Sequence, residues 1–284
     1  MAVQFDEIRF TVLAGHSSSH RAAYRVGRGL MWKVIRASAV GTSHSETGQT
    51  CQDACYADVI RGAGNQDYLV CLVADGAGSA QEGGAGAQLA CHTARASIKA
   101  SVTRLRPEPL GEIDVKSWVE NVRRVIASTA EESGLAPRDY ACTLIGAVVA
   151  QHGALFFQIG DGSIVASSGN IQGVVFWPDA GPYANMTYFV TDEDALAHLH
   201  ICISNSRLDE LALFSDGLQR LALSFETQTP HIPFFEPMLN VLRKCTPDKC
   251  PALDRQLAIF LNSAAINERT DDDKTLVLAS RHMS

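Results

Sequence analysis

The chain of 284 residues suits one large domain or two small ones, and 46% hydrophobic with 19% charged residues is the composition of a globular protein able to bury a sizeable core. A formal net charge of −7, with no basic stripe and no aromatic–basic interleaving, argues against a nucleic-acid partner. No apolar run approaches the roughly 18 residues of a membrane-spanning helix, so no membrane partner is expected.

Residues 1–30 read as an N-terminal extension. They hold His16-Ser-Ser-Ser-His20 followed by Arg21, Arg25 and Arg28, with poor periodicity and frequent glycine. The histidine spacing is metal-like, but a serine-rich terminus is ordinarily just mobile, and there is no apolar segment of signal-peptide type. The compact unit begins near Met31, and 31–284 is taken as one domain. Residues 32–40 read as a strand and 41–48 as a polar loop that carries His44. A short apolar segment to residue 60 and the run 68–74 form a hairpin across Arg61-Gly-Ala-Gly-Asn65. The second strand of that hairpin runs into Asp75-Gly76-Ala77-Gly78-Ser79, where the glycines allow a tight turn and close approach to main-chain atoms.

Helices are expected over 85–105, ended by Pro107, and over 115–132, with Trp118, Val122, Val125 and Ile126 on one face. Residues 140–150 and 154–159 read as two strands around a His152-Gly153 turn. Gly160-Asp161-Gly162 breaks the second, and 163–166 begins another strand. Residues 170–208 read as irregular, with Thr191 to Asp194 resembling a helix capping pattern. A strand over 211–214 closes on Ser215-Asp216-Gly217, a helical turn follows over 218–223, and helices are expected over 234–244 and 253–262. Asp271-Asp272-Asp273-Lys274 leads into a last strand over 275–279. Short strands with helices in separate blocks give an α+β class rather than a parallel doubly wound sheet.

The eight cysteines are scattered, several inside apolar runs, with no C-x-x-C. A reduced, cytoplasmic protein is expected, in which cysteine serves as a small hydrophobe. Cys51/Cys55 and Cys245/Cys250 lack the usual spacing of a zinc site.

Five aspartates share one context: Asp53, Asp75, Asp161, Asp216 and Asp272 each sit at or near the end of an apolar run, and three are followed by glycine. A single Asp-Gly is commonly only a capped turn. Strands of one sheet ending at one edge would gather such carboxylates, which repel unless a cation neutralises them. Oxygen ligands point to magnesium or manganese, and two such ions can activate water against a phosphoryl group.

Asp75-Gly76-Ala77-Gly78, Ile159-Gly160-Asp161-Gly162, Phe214-Ser215-Asp216-Gly217 and Asp272-Asp273-Lys274-Thr275, in that order, resemble the successive motifs of the metal-dependent type 2C serine/threonine protein phosphatases. Cys51-Gln52-Asp53-Ala54 is similar to the first acidic motif of that family. The resemblance covers residue 32 to the end and is strongest with a compact bacterial branch that has Gly-Asp-Gly and a Tyr-Ala-Asn-x-Thr segment, here Tyr183 to Thr187. It implies an α-β-β-α sandwich of two antiparallel sheets flanked by helices, with the metals at one end. It implies that Asp75 bridges two ions, that the Gly76 carbonyl binds one, and that Asp216 and Asp272 complete the first. Asp53 would hold metal-bound water, and Asp161 matches the aspartate of a weaker third ion. Residues 170–208 stand where the family has a variable flap that meets substrate, which makes Tyr183 and Asn185 candidate substrate contacts.

The implied activity is hydrolysis of phosphoserine and phosphothreonine in proteins by metal-activated water, without a covalent phosphoenzyme. Manganese or magnesium would serve as cofactor, a cognate Ser/Thr kinase is an expected partner, and a monomer is expected. Three positions depart from the family: Gly48 where an arginine binds phosphate, Ala77 where a histidine is proposed as general acid, and Gln52 for an acidic residue. They leave open an alternative, a catalytically weak or inactive phosphoprotein-binding or regulatory module, and make His44 a candidate substitute phosphate contact or acid. Cys55 and Arg61 have the C-x₅-R spacing of cysteine phosphatases, but the residues between them form no glycine-rich phosphate loop.

Overall fold

A computed structural model of the chain describes residues 32–105, 109–169, 171–178 and 187–281. In chain order the elements are β1 (Trp32–Ala39), α1 (Thr42–Glu46), β2 (Ala54–Arg61), β3 (Asp67–Ala74), α2 (Gly83–Thr103) and α3 (Glu112–Glu132). Four strands follow: β4 (Leu144–Val149), β5 (Ala154–Ile159), β6 (Ser163–Ser168) and β7 (Ile171–Val174). After these come β8 (His200–Ser204), β9 (Glu210–Phe214), α4 (Gln219–Ala222), β10 (Leu223–Ser224), β11 (Thr229–Pro230) and α5 (Ile232–Lys244). The chain closes with α6 (Cys250–Leu261), α7 (Ala264–Asn267) and β12 (Lys274–Arg281).

Two five-stranded sheets, ordered β1-β12-β9-β6-β7 and β2-β3-β4-β5-β8, are antiparallel throughout. Strand alternation explains their stacking. Along β3, Leu69, Cys71 and Val73 point between the sheets, while Val70, Leu72 and Ala74 point out beneath α2 and α3. Along β12, Val277 and Ala279 face inward, and Leu276 and Leu278 face α5 and α6. Both faces of the central strands are covered, so these strands read as continuous apolar runs rather than alternating ones. Each fully buried Leu or Phe adds roughly 1.5–3 kcal/mol. Small residues let α2 lie close to its neighbours: Ala87, Ala90, Ala94 and Ile98 recur at helical spacing on its buried face. Trp118 of α3 meets Phe157 of β5 edge-on, at 6.1 Å between ring centroids.

The expected α+β class and four-layer sandwich are therefore present. Several local expectations shift. The segment before Leu144 is not strand: Pro137–Tyr140 is a 3-10 turn, and Cys142 makes only an isolated bridge with Gly76. The interval read as irregular, 170–208, holds β7, a 3-10 turn at Ala195–His198, and β8. Both strands are short sheet edges with one side little covered, so neither carries an apolar run to announce it. At the expected cap, Asp194 makes no side-chain cap bond; Asp192 Oδ2 instead accepts from Phe189 N at 2.8 Å.

Register places the site. Ala54 opposes Ala74, Leu144 opposes Ile159, Ser163 opposes Phe214, and Ala39 opposes Lys274. The residues just beyond these pairs, including Asp53, Asp75, Asp161, Asp216 and Asp272, all leave the sandwich at one end. No helix among the described residues is long and apolar enough to cross a membrane.

Candidate metal centre

Asp75 is fixed by its neighbours on either side. Its N–H donates to Thr143 Oγ1 at 3.0 Å, and Thr143 N–H donates to its carbonyl at 2.8 Å. Gly76 N–H donates to Gln52 O at 3.2 Å, and Ala77 N–H to Ala141 O at 2.9 Å. The turn is thus clamped between the segment before β2 and the segment before β4. A Cβ on Gly76 would lie 2.3 Å from the carbonyl carbon of Gly83, so only glycine admits the start of α2 this closely.

Asp53 is buried, and its Oδ2 accepts from Ser215 Oγ at 2.7 Å. Ser215 Oγ in turn accepts from Thr275 N–H at 3.0 Å, which ties β9 to β12 beneath the carboxylate. Asp216 opens the 3-10 turn that follows β9. Asp272 Oδ1 accepts from Asp273 N–H at 2.8 Å just before β12. Asp161, between β5 and β6, accepts from Thr187 Oγ1 on its side chain and from Gln219 Nε2 on its carbonyl.

These carboxylates act on one another. Burial, then the charges of Asp53 and Asp216, hold Asp75 well above the ordinary carboxylate range. Burial pushes Asp53 up to about 6, against the lowering effect of the Ser215 hydroxyl. Burial, then Asp161 and Asp272, push Asp216 up to about 7. Burial raises Asp272 as well. The charges of Asp53 and Asp216 both disfavour the ionised form of Asp75. Neighbouring carboxylates raise one another's pKa unless a cation neutralises them.

Two features test the fit of a metal. Asp53 Oδ1 and Asp216 Oδ1 are buried without a hydrogen-bond partner, an expensive condition that a cation relieves. The donor set is all carboxylate and carbonyl oxygen, which suits a hard divalent ion. Among the described residues no three His, Cys, Asp or Glu side chains form a ready-made cage. By those two features the residues fit the group.

The remaining candidates divide. His44, half-buried on α1, lies beside Gly78. Tyr183 and Asn185 lie outside the described residues, as does the segment 1–31. Gly48 is exposed and Ala77 is buried. Cys55 and Arg61 stand at opposite ends of β2, roughly 20 Å apart at strand rise, and Arg61 is engaged by Asp67 and Asn65. No cysteine-phosphatase site is formed there.

The residue that sequence reasoning passed over is Asp273. It is buried, its Oδ1 accepts from Gly41 N–H at 2.6 Å, its Oδ2 accepts from Gln52 N–H at 2.5 Å, and His44 Nδ1 stands 3.0 Å from Oδ2. One carboxylate joins three loops. The available signal was the acidic run 271–273 itself, since an approaching strand cannot send all three side chains to one side.

Comparison with known proteins bears on this site. Residues 40–262 match the family model described as Protein phosphatase 2C. The chain is 43% identical over 252 residues to Serine/threonine-protein phosphatase 3 of Escherichia coli (strain K12), covering 88% of this chain and 98% of that one. Among solved structures, a bacterial serine phosphatase superposes with a TM-score of 0.56 at 16% identity, over 90% of this chain and 99% of that one. The catalytic domain of serine threonine protein phosphatase PstP, in complex with two manganese ions, gives 0.56 at 17% identity, over 89% and 100%. These two likenesses speak to the fold.

Proposed function

Since the chain belongs to the protein phosphatase 2C family and is a metal-dependent serine/threonine protein phosphatase, we propose that its metal centre is built from Asp53, Asp75, the Gly76 carbonyl, Asp216 and Asp272, with Asp161 at the edge. The supporting observation is the pair of buried, unpartnered oxygens, Asp53 Oδ1 and Asp216 Oδ1, set among carboxylates that raise one another's pKa. Manganese or magnesium is the cofactor, two ions with a weaker third at Asp161. Such ions supply a Lewis acid that polarises the phosphoryl oxygens and makes water nucleophilic at neutral pH.

The chain's own residues do the rest. Asp53 is oriented by Ser215, and its free Oδ1 accepts a hydrogen bond from the attacking water. Thr143 fixes the backbone of Asp75, and Thr187 and Gln219 fix Asp161. Hydrolysis in this reading is by direct attack of water on phosphorus, without a covalent phosphoenzyme. We take residues 31–284 as the catalytic domain, 1–30 as an extension and the segment between β7 and β8 as the flap, with Tyr183, Asn185 and His44 as the candidate substrate contacts. The substrates are phosphoserine and phosphothreonine proteins; a cognate Ser/Thr kinase, a monomeric state and a cytoplasmic location complete the reading.

Phosphate release from a phosphothreonine peptide, with manganese, magnesium or chelator, tests the ligand assignment. Asp216→Asn should lower the manganese-dependent rate by about 100-fold or more, at least the cost of disturbing a metal's outer partners. A variant as active as wild type at limiting manganese removes Asp216 from the centre.

A further inference from the structure

Departure of a serine or threonine oxygen from phosphorus leaves an alkoxide, which needs a proton. The metal end of the sandwich is crowded with carboxylates, so the donor has to be sought among the few other groups that reach it. Lys274 is wholly buried, and its Nζ is spent on Val40 O at 3.2 Å and Asn267 Oδ1 at 2.9 Å. The Cys51 thiol is pushed far up by burial and by Asp53 and Asp273, so it holds its proton tightly. His44 is differently placed. Its ring is 16% exposed and open to an incoming substrate. Its Nε2 lies 4.0 Å from the point where a Cβ on Gly78 would sit, against the turn that begins at Asp75. Among the described residues Nε2 has no hydrogen-bond partner.

The support behind this ring is unusually complete. Asp273 stands 3.0 Å from Nδ1, and its two oxygens are locked by Gly41 N–H and Gln52 N–H. Ser43 N–H and Ser43 Oγ both donate to Asp271 O, at 3.0 and 2.7 Å, which pins α1 to the segment that carries Asp272. The Nδ1–Oδ2 contact is at ion-pair distance but is not aligned as a hydrogen bond, and Nδ1 is otherwise unpartnered. A small ring rotation aligns it; catalytic hydrogen bonds are often loose before substrate binds. A carboxylate on Nδ1 fixes a proton at that nitrogen, so the imidazolium presents its Nε2–H outward as the donor.

We propose that His44, oriented by Asp273, is the general acid of this phosphatase. The step balances as follows: water adds its oxygen to phosphorus, the bond from phosphorus to the serine or threonine oxygen breaks, and the Nε2 proton passes to that oxygen, which leaves as a hydroxyl. Inorganic phosphate departs, and the ring regains a proton from water. Asp273 is a positioning residue here and makes no contact with substrate. The assignment rests on the metal-centre reading above.

Leaving-group dependence tests it. A phosphothreonine peptide needs a donated proton; p-nitrophenyl phosphate, whose phenolate leaves unaided, needs little. For His44→Asn in the manganese-loaded protein, kcat on the peptide should fall about 100-fold, within the usual range for a general acid. The fall on p-nitrophenyl phosphate should be at least tenfold smaller. Manganese binding by calorimetry should match wild type, which separates a lost acid from a lost metal site. In ¹⁵N spectra the neutral His44 ring should hold its proton on Nδ1 and the imidazolium, the form that donates from Nε2, one on each nitrogen, and Asp273→Asn should change the Nδ1 signal. Equal losses on both substrates would make His44 a phosphate contact or a prop and overturn the assignment, as would an undiminished peptide rate. Wild type that binds manganese but acts on neither substrate overturns the metal-centre reading and this assignment together.

Discussion

The two ends of the sandwich are made from the same strands yet treat charge in opposite ways. At the far end charges find partners of opposite sign or carbonyl oxygens. Arg61 engages Asp67 and Asn65, and Arg207 Nε lies 3.5 Å from Asp209. Arg281 donates to Ala150 O and Gln151 O, each at 3.2 Å, and covers the Trp32 ring at 5.0 Å, although its Nε and the Trp32 Nε1 are buried without a partner. At the metal end, carboxylates from five separate loops face one another, and two of their oxygens have no partner at all. One end sets charges beside opposite charges or carbonyls; the other sets carboxylates beside carboxylates. Strand ends with internal partners stabilise the fold; in the centre proposed here, strand ends without them hold a place for a cation.

The largest break in that contrast is made at its hub. Asp75→Asn removes the carboxylate that Asp53 and Asp216 both repel, so activity and stability should move in opposite directions. Manganese-dependent phosphate release should fall by about 100-fold or more, as befits a group placed at the metal itself. The chelated protein should melt higher than chelated wild type, by about 2–4 °C if relief of repulsion is worth one kcal/mol in a chain of this size. A variant that melts lower in chelator would mean that Asp75 is a structural partner, not a repelled one.

The positions of the aspartates were legible in the sequence, because apolar runs fix where strands end and Asp-Gly marks the turns that follow. The pairing of those strands into two stacked sheets was not: it came from the resemblance, and local pattern alone supports only α+β. The supporting groups were hidden for a different reason. Ser215 serves Asp53 from 162 residues away, and Gly41 meets Asp273 across 232. Nothing local distinguishes such a serine from any other at a turn. Asp272 and Asp273 are adjacent and chemically identical, yet one edges the metal end and the other is an internal acceptor for two loop N–H groups. Only the closed tertiary structure separates them.

Acidity sharpens the contrast further. Asp53 and Asp216 are raised from 3.8 to about 6 and about 7. The metal-free fold therefore binds protons that the unfolded chain has already released, between pH about 4 and about 7. Stability from these groups is present below that window and is lost as pH rises through it, the reverse of a salt-bridged carboxylate. Chelated protein should melt progressively lower from pH 5 to 8, measured against Asp216→Asn to cancel titrations elsewhere. Manganese should reverse the trend, since its ligands must be deprotonated. A chelated protein that gains stability over this range relative to Asp216→Asn would mean that the carboxylates are already neutralised within the chain.

The smallest expected effect lies at the far end, where the contrast says that charge does only structural work. Arg61→Ala leaves Asp67 with a side chain only 6% exposed and its main cationic partner gone. Full burial of that pair would make the loss severe. The Arg61 side chain, however, is 56% exposed, so solvent already screens the interaction, and about 1 kcal/mol is expected. Denaturant unfolding should show that loss, while phosphate release at saturating manganese stays at the wild-type rate. The hairpin from β2 to β3 runs from this pair to Asp53 and Asp75 at its other end. A fall in activity without a fall in manganese affinity would show that the hairpin transmits strain along its length, and the two ends would no longer be independent.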